Sequence, residues 1–135
     1  MRCLVAIDDP DVRDPVVAAL RAFGAIDIDA TSVDEGRAML RRRRFDFAVV
    51  PIESGQRVVD VLWEDIERLA ADLPLIAFSQ NTNLALRRVD GRRAGVFAQL
   101  TVPLDAIELF RTLRRLFDRL KRVRPDRRET RTAQR

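Results

Sequence analysis

Histidine is absent from the 135 residues, and cysteine and lysine occur once each, as Cys3 and Lys121. Without histidine there is no zinc site of the usual Cys/His kind, and neither Ser-His-Asp nor Cys-His catalysis is available. A lone cysteine forms no internal disulfide, and Cys3 lies in an apolar run where a buried, inert thiol is expected. Because the only lysine is residue 121, positions 1–120 hold none. Five glycines and six prolines exclude collagen-like and low-complexity chains. No apolar run approaches the roughly 18 residues of a membrane span, and the start of the chain has no signal-peptide core. The expectation is a soluble, cytoplasmic chain, and its 47% apolar content is enough for one domain core.

The net charge of +4 is unevenly spread. Residues 1–110 hold 14 arginines against 18 acids, whereas residues 111–135 hold 11 basic groups against Asp118, Asp126 and Glu129. Basicity therefore belongs to the C-terminal end. The expected division is a globular domain over 1–120 and a basic, disordered tail over 121–135.

Short apolar runs alternate with amphipathic stretches. Leu4-Val5-Ala6-Ile7 reads as a strand buried on both faces, stopped by Asp8-Asp9-Pro10. Val12 to Phe23 has helical spacing, with Pro15 expected in the first turn and Gly24 as the stop. Ile26 to Ala30 alternates as an edge strand, and Ser32 with Glu35 forms a capping box that opens a second helix. Arg41 to Arg44 close that helix, where cations complement its dipole. Phe47 to Val50 is a buried strand ended by Pro51. Val58, Val59, Leu62, Ile66, Leu69 and Leu73 share a helical stripe with Trp63 at its margin. Leu75 to Phe78 and Val96 to Leu100 read as strands. A short helix is expected around Leu84 to Val89 and a strong one from Asp105 to about Arg122. Each crossover is long enough for a parallel sheet, so the order is (βα)₅.

In open α/β sheets, chemistry gathers at the carboxyl ends of the strands, here Asp8-Asp9, Pro51, Ser79 and Thr101-Val102-Pro103. That series, with Phe45-Asp46-Phe47 before the third strand and Gly95 to Asp105 around the fifth, resembles the receiver domain of bacterial response regulators from Leu4 to about Arg119. The resemblance implies a flavodoxin-like three-layer sandwich: a central parallel five-stranded sheet in the order 2-1-3-4-5. It also implies five groups for phosphoryl transfer. Asp8 and Asp9 match the acids that help bind Mg²⁺, and Ser79 matches the hydroxyl that bonds the phosphoryl group. The acceptor aspartate is replaced by Pro51, and the lysine before the strand-five proline by Val102.

Proline has no side-chain oxygen to attack phosphorus. Asp46 lies five residues earlier, roughly 16 Å away at a strand's rise, at the opposite end of the sheet. The expected identity is a degenerate, non-enzymatic pseudo-receiver with no catalytic residue and Ser79 as a vestigial switch. No cofactor is expected beyond weak Mg²⁺ binding by Asp8, Asp9 and Glu53. The alternative is that Asp9 caps the following helix, and Glu53 is also a candidate for a permanent negative charge near Ser79.

What remains is the family's interaction face, formed by the fourth helix, fifth strand and fifth helix. The last helix carries Ala106, Leu109, Leu113, Leu116, Leu120 and Val123 at 3-4 spacing, widened by Ile107, Phe110 and Phe117. Arg111, Arg114, Arg115, Lys121 and Arg122 lie opposite, with Arg87, Arg88, Arg92 and Arg93 near the fourth helix. Leu109, Leu113, Leu116, Leu120, Arg111, Arg114 and Arg115 are therefore the interface candidates, for a signalling protein or a second copy of the chain, beside the plainer reading of the leucines as a core-facing stripe. The resulting expectation is a phosphorylation-independent interaction or dimerisation module in signal transduction or transcription regulation. Two alternatives stand beside it: a small basic nucleic-acid-associated regulator, and the excised N-terminal regulatory domain of an enhancer-binding activator. No helix-turn-helix or zinc-finger pattern supports direct DNA reading.

Overall fold

The computed structural model describes residues 1–24, 26–52, 57–79, 96–101 and 104–133, with side chains as far as Lys121. In chain order these form β1 (Arg2–Ala6), α1 (Pro10–Phe23), β2 (Asp27–Thr31), α2 (Val33–Arg42), β3 (Phe47–Pro51), α3 (Arg57–Leu69), β4 (Leu75–Ser79), β5 (Val96–Thr101) and α4 (Ala106–Ala133). The five strands are all parallel in the order β2-β1-β3-β4-β5, the flavodoxin-like arrangement expected above. The short helix expected around Leu84 to Val89 lies outside the described residues. Among those described, no helix is long and apolar enough to cross a membrane.

Two units are distinguished, Met1–Asp105 with the sheet and Ala106–Arg135 with the last helix. In the first, β1, β3 and β4 are central and buried on both faces, which is why they read as unbroken apolar runs. On one face Leu4, Ala6, Ala48, Val50, Leu75 and Ala77 join Val33 and Leu40 of α2 and Val59, Leu62, Trp63 and Ile66 of α3 in a continuous core. Each large apolar side chain buried there contributes roughly 1.5–3 kcal/mol. Val16, Ala19 and Leu20 form the buried stripe of α1.

Three local expectations are corrected. Helix α1 begins at Pro10, capped by Asp9, so Pro15 falls in the second turn rather than the first. There it withholds an N–H that would otherwise bond the carbonyl four residues back. Trp63, expected at the stripe's margin, is fully buried, while Leu69 is exposed at the helix end. The indole N–H explains the difference: it donates to the carbonyl of Pro51 at 2.9 Å, which draws the ring inward. Finally, helix α4 is assigned to Ala133, beyond the Arg122 at which the sequence spacing ends it. Extending an existing helix avoids the cost of nucleation.

Helix α2 sits close against the sheet because Gly36 has no side chain. A Cβ there would lie 2.8 Å from the Cβ of Ala6 on β1. Its N-terminus keeps half of the expected capping box: Ser32 Oγ accepts from the Glu35 N–H at 3.1 Å. The Glu35 carboxylate instead accepts from the Thr31 hydroxyl at 2.8 Å.

Cys3 is fully buried on β1, and burial, aided by the negative charge of Asp29, holds its thiol far above the usual range. The native protein is therefore expected to resist thiol reagents at neutral pH, with labelling limited by unfolding. Rapid labelling of the folded chain would contradict this placement. The unfolded thiol ionises near pH 8.5. The folded thiol stays protonated, so above that pH the unfolded state binds fewer protons and stability falls as pH rises.

Candidate functional site at the carboxyl edge of the sheet

The residues singled out by sequence arrive where the topology sends them: at the carboxyl ends of parallel strands. Asp8 and Asp9 follow β1, Pro51 ends β3 and Ser79 ends β4. Pro51 is paired with Phe78, and Ser79 with Thr101 at the end of β5. Ser79 is 1% exposed. Glu53, Val102 and Pro103 lie outside the described residues, as do Arg87, Arg88, Arg92 and Arg93.

Pro51 is tolerated at this point because the β1–β3 pairing ends two residues earlier, at Val5–Val49. Its missing N–H therefore costs no ladder bond. The following Ile52 N–H donates to the Phe78 carbonyl at 2.9 Å, fixing the strand end to β4. Asp46 is fixed at the far end of the sheet. Its carboxylate accepts from the Arg2 N–H at 2.7 Å, and its own N–H donates to the Arg2 carbonyl at 2.8 Å. It ties the amino ends of β1 and β3 together and takes no part at the carboxyl edge.

The two acids are each engaged with a helix start. Asp9 is the N-cap of α1, and its Oδ1 accepts from the Asp11 N–H at 2.9 Å. Asp8 reaches further, accepting the Val33 N–H at 2.8 Å and so capping α2 in the next βα unit. The Asp9 cap had been one of the two readings of the pair. The Asp8 bond spans 25 residues and has no local signature. Only one oxygen of each acid is engaged by a backbone N–H, while the end of β3 offers a pyrrolidine ring and no carboxylate, and Glu53, the third expected ligand, lies outside the described residues. Among the described residues, no three acidic, cysteine or histidine side chains come together to hold a metal.

Of the two readings of the leucine ridge, burial agrees with the core-facing one. Leu109, Leu113 and Leu116 are fully buried, together with Thr112, whose hydroxyl donates to the Glu108 carbonyl at 2.9 Å. Leu120 is half-buried. Leucines at 3-4 spacing follow the buried side of a single helix as readily as a helix–helix seam, and here they are core. Among the described side chains, the exposed large apolar residues of α4 are Ile107, 63% exposed, and Phe110, 37% exposed. Arg111, Arg114 and Arg115 are exposed as expected.

One charged cluster escaped sequence reading. Asp65 of α3 is 3% exposed; its Oδ2 accepts from Arg37 Nε of α2 at 2.7 Å, and its Oδ1 from Arg68 Nη2 at 2.8 Å. Arg41 stands 4.0 Å away. The available signal was an acid on an apolar stripe, three residues after Leu62 and one before Ile66. A carboxylate in that position needs a cation from elsewhere in the fold.

No protein-family model and no curated protein matches the sequence. Solved structures do. A sensor protein from Polaromonas is 23% identical, with a TM-score of 0.73, over 88% of this chain and 97% of that one. The magnesium-bound receiver domain of a sensor histidine kinase from Pseudomonas aeruginosa is 22% identical, with a TM-score of 0.66, over 85% and 95%. The fold is that of a receiver domain. NtrX of Brucella abortus, solved with ATP, is 23% identical at a TM-score of 0.75 over 92% of this chain, which spans 28% of that protein. Identities this low establish the receiver fold and not the chemistry. In this receiver fold the strand-three terminus is proline, and both acids after β1 bond the starts of helices.

Proposed function

We propose that this chain is a non-enzymatic pseudo-receiver, acting as a phosphorylation-independent interaction module in bacterial signal transduction or transcription regulation. The observation that carries the reading is Pro51 at the carboxyl end of β3, where a phosphoacceptor would have to project an oxygen. The bonds of Asp8 and Asp9 to helix starts support it, since they give both acids a structural role that needs no phosphoryl group. The interaction face proposed is the exposed side of α4. Ile107 and Phe110 supply apolar area there, and Arg111, Arg114 and Arg115 supply charge, for a protein partner or a second copy.

Incubation with acetyl phosphate and Mg²⁺ tests the reading. The intact mass is expected to stay unchanged, and the sedimentation behaviour to be the same with and without the phosphodonor. Addition of one phosphoryl group, or association that requires the phosphodonor, would overturn it.

A further inference from the structure

We propose that the carboxyl edge of the sheet works in this chain as a fixed clamp, in which Asp8, Asp9 and the Pro51 carbonyl are structural acceptors for three helices. The proposal rests on the pseudo-receiver reading and extends it from what the site has lost to what its groups now do.

The end of β1 is held from two elements. Its Ile7 N–H donates to the Thr31 carbonyl of β2 at 3.1 Å, and the Asp8 carboxylate takes the Val33 N–H of α2. One residue on, Asp9 closes the start of α1 through the Asp11 N–H. Across the edge, the indole of Trp63 on α3 donates to the Pro51 carbonyl at 2.9 Å. Helix α2 is thus tied to the end of β1 and α3 to the end of β3 by one directional bond each, while α1 is capped locally by Asp9. The first turn of α2 is held twice, because Asp8 takes the Val33 N–H while Ser32 takes that of Glu35. Helix N-terminal N–H groups have no partner within their own helix, so these acceptors satisfy real donors.

A clamp and a metal site ask different things of Asp8. A cap needs an acceptor oxygen, and asparagine supplies one as well as aspartate. A divalent cation needs the negative charge, which asparagine lacks. Charge and acceptor are therefore separable by substitution.

The test is native-state amide hydrogen exchange on the full chain, read at Val33 and Asp11 and referred to the slowest amides of β1 and β3. Asp8→Asn is expected to leave Val33 protection within about twofold of the parent, while Asp8→Ala lowers it about fivefold or more, the loss of one cap. Trp63→Phe, which keeps the ring and removes the N–H, is expected to raise exchange around Ile52 without changing the central strands. Millimolar Mg²⁺ is expected to shift neither the Val33 nor the Asp11 amide. Equal loss of Val33 protection in Asp8→Asn and Asp8→Ala would overturn the clamp. So would Mg²⁺-induced shifts of Val33 that vanish in Asp8→Asn, or no change around Ile52 in Trp63→Phe. None of these results depends on the acetyl-phosphate experiment, so the clamp and the pseudo-receiver reading fail separately.

Discussion

Replacing Arg37 by methionine is expected to destabilise the fold by about 2–3 kcal/mol, although the arginine lies on a helix surface. Asp65 is almost wholly buried, and Arg37 Nε at 2.7 Å is the shorter of its two charge-assisted bonds. Removing one partner of a buried pair leaves the other charge desolvated and underpaired, which typically costs about 3–5 kcal/mol. The expectation here is lower for two reasons. Arg68 still bonds the other oxygen, and the Arg37 side chain keeps 27% of its exposure, so water reaches the pair. Methionine retains the aliphatic length, which confines the effect to the guanidinium. A second substitution sharpens the test. Arg37→Met combined with Asp65→Leu is expected to be more stable than Arg37→Met alone, because the buried charge is gone and Arg68, 64% exposed, turns to solvent. Denaturant unfolding followed by the emission of Trp63, the only tryptophan, reads both changes. A single-mutant loss below about 0.5 kcal/mol would class the cluster with ordinary surface ion pairs.

Gly36→Val is the other substitution with a large expected cost, about 3 kcal/mol. Glycine is normally the weaker residue inside a helix, by about 1 kcal/mol against alanine. Packing outweighs that preference at this position. The missing Cβ is what lets α2 approach β1, and an added one would meet the Ala6 Cβ at 2.8 Å, with Thr31 Cγ2 and Leu4 Cδ2 at 3.7 and 3.8 Å. The Ala6 Cβ is carried directly on the strand backbone and has no rotamer by which to retreat. Helix and sheet must separate, and the strain of overfilling a packed core is typically about 1–3 kcal/mol, with the branched valine at the upper end. Gly36→Ala is expected to show a smaller net loss, since its gain in helix propensity offsets part of the clash. Adding Ala6→Gly to Gly36→Ala should recover stability by clearing the contact. If Gly36→Ala were stabilising by itself, the close approach of α2 to β1 would be wrong.

These two positions also mark the limit of what local pattern conveys. The linear pattern gives Gly36 only as a weak residue inside a capped helix, and Asp65 only as an acid on an apolar stripe. Neither reading contains the neighbouring element that makes the residue necessary. The leucines of α4 show the same limit from the other side. Their spacing marks an apolar face, but spacing does not say whether a face is buried. Leu109, Leu113 and Leu116 are buried, and the exposed large apolar residues on the described part of the helix are Ile107 and Phe110. Pro15 failed by a smaller margin: the helix was started at Val12, and a cap at Asp9 with proline at the first helical position moved its origin to Pro10.

The order of the described strands and the parallel sheet were legible in the linear chain, because apolar runs, caps and breakers act over a few neighbouring residues. The strand ends were legible only to within a residue, with β1, β2 and β5 closing at Ala6, Thr31 and Thr101 rather than Ile7, Ala30 and Leu100. The chemistry lost at Pro51 was legible for the same reason, since a ring without oxygen is inert wherever it is placed. Tertiary structure alone decided the partners. It aimed Asp8 at the start of α2, drew the Trp63 indole onto the Pro51 carbonyl and buried Asp65 between two guanidinium groups. Apart from the Arg68 bond, which is local to α3, these bonds join residues separated by 12 to 28 positions in the chain, so they exist only once the sheet has brought those segments together.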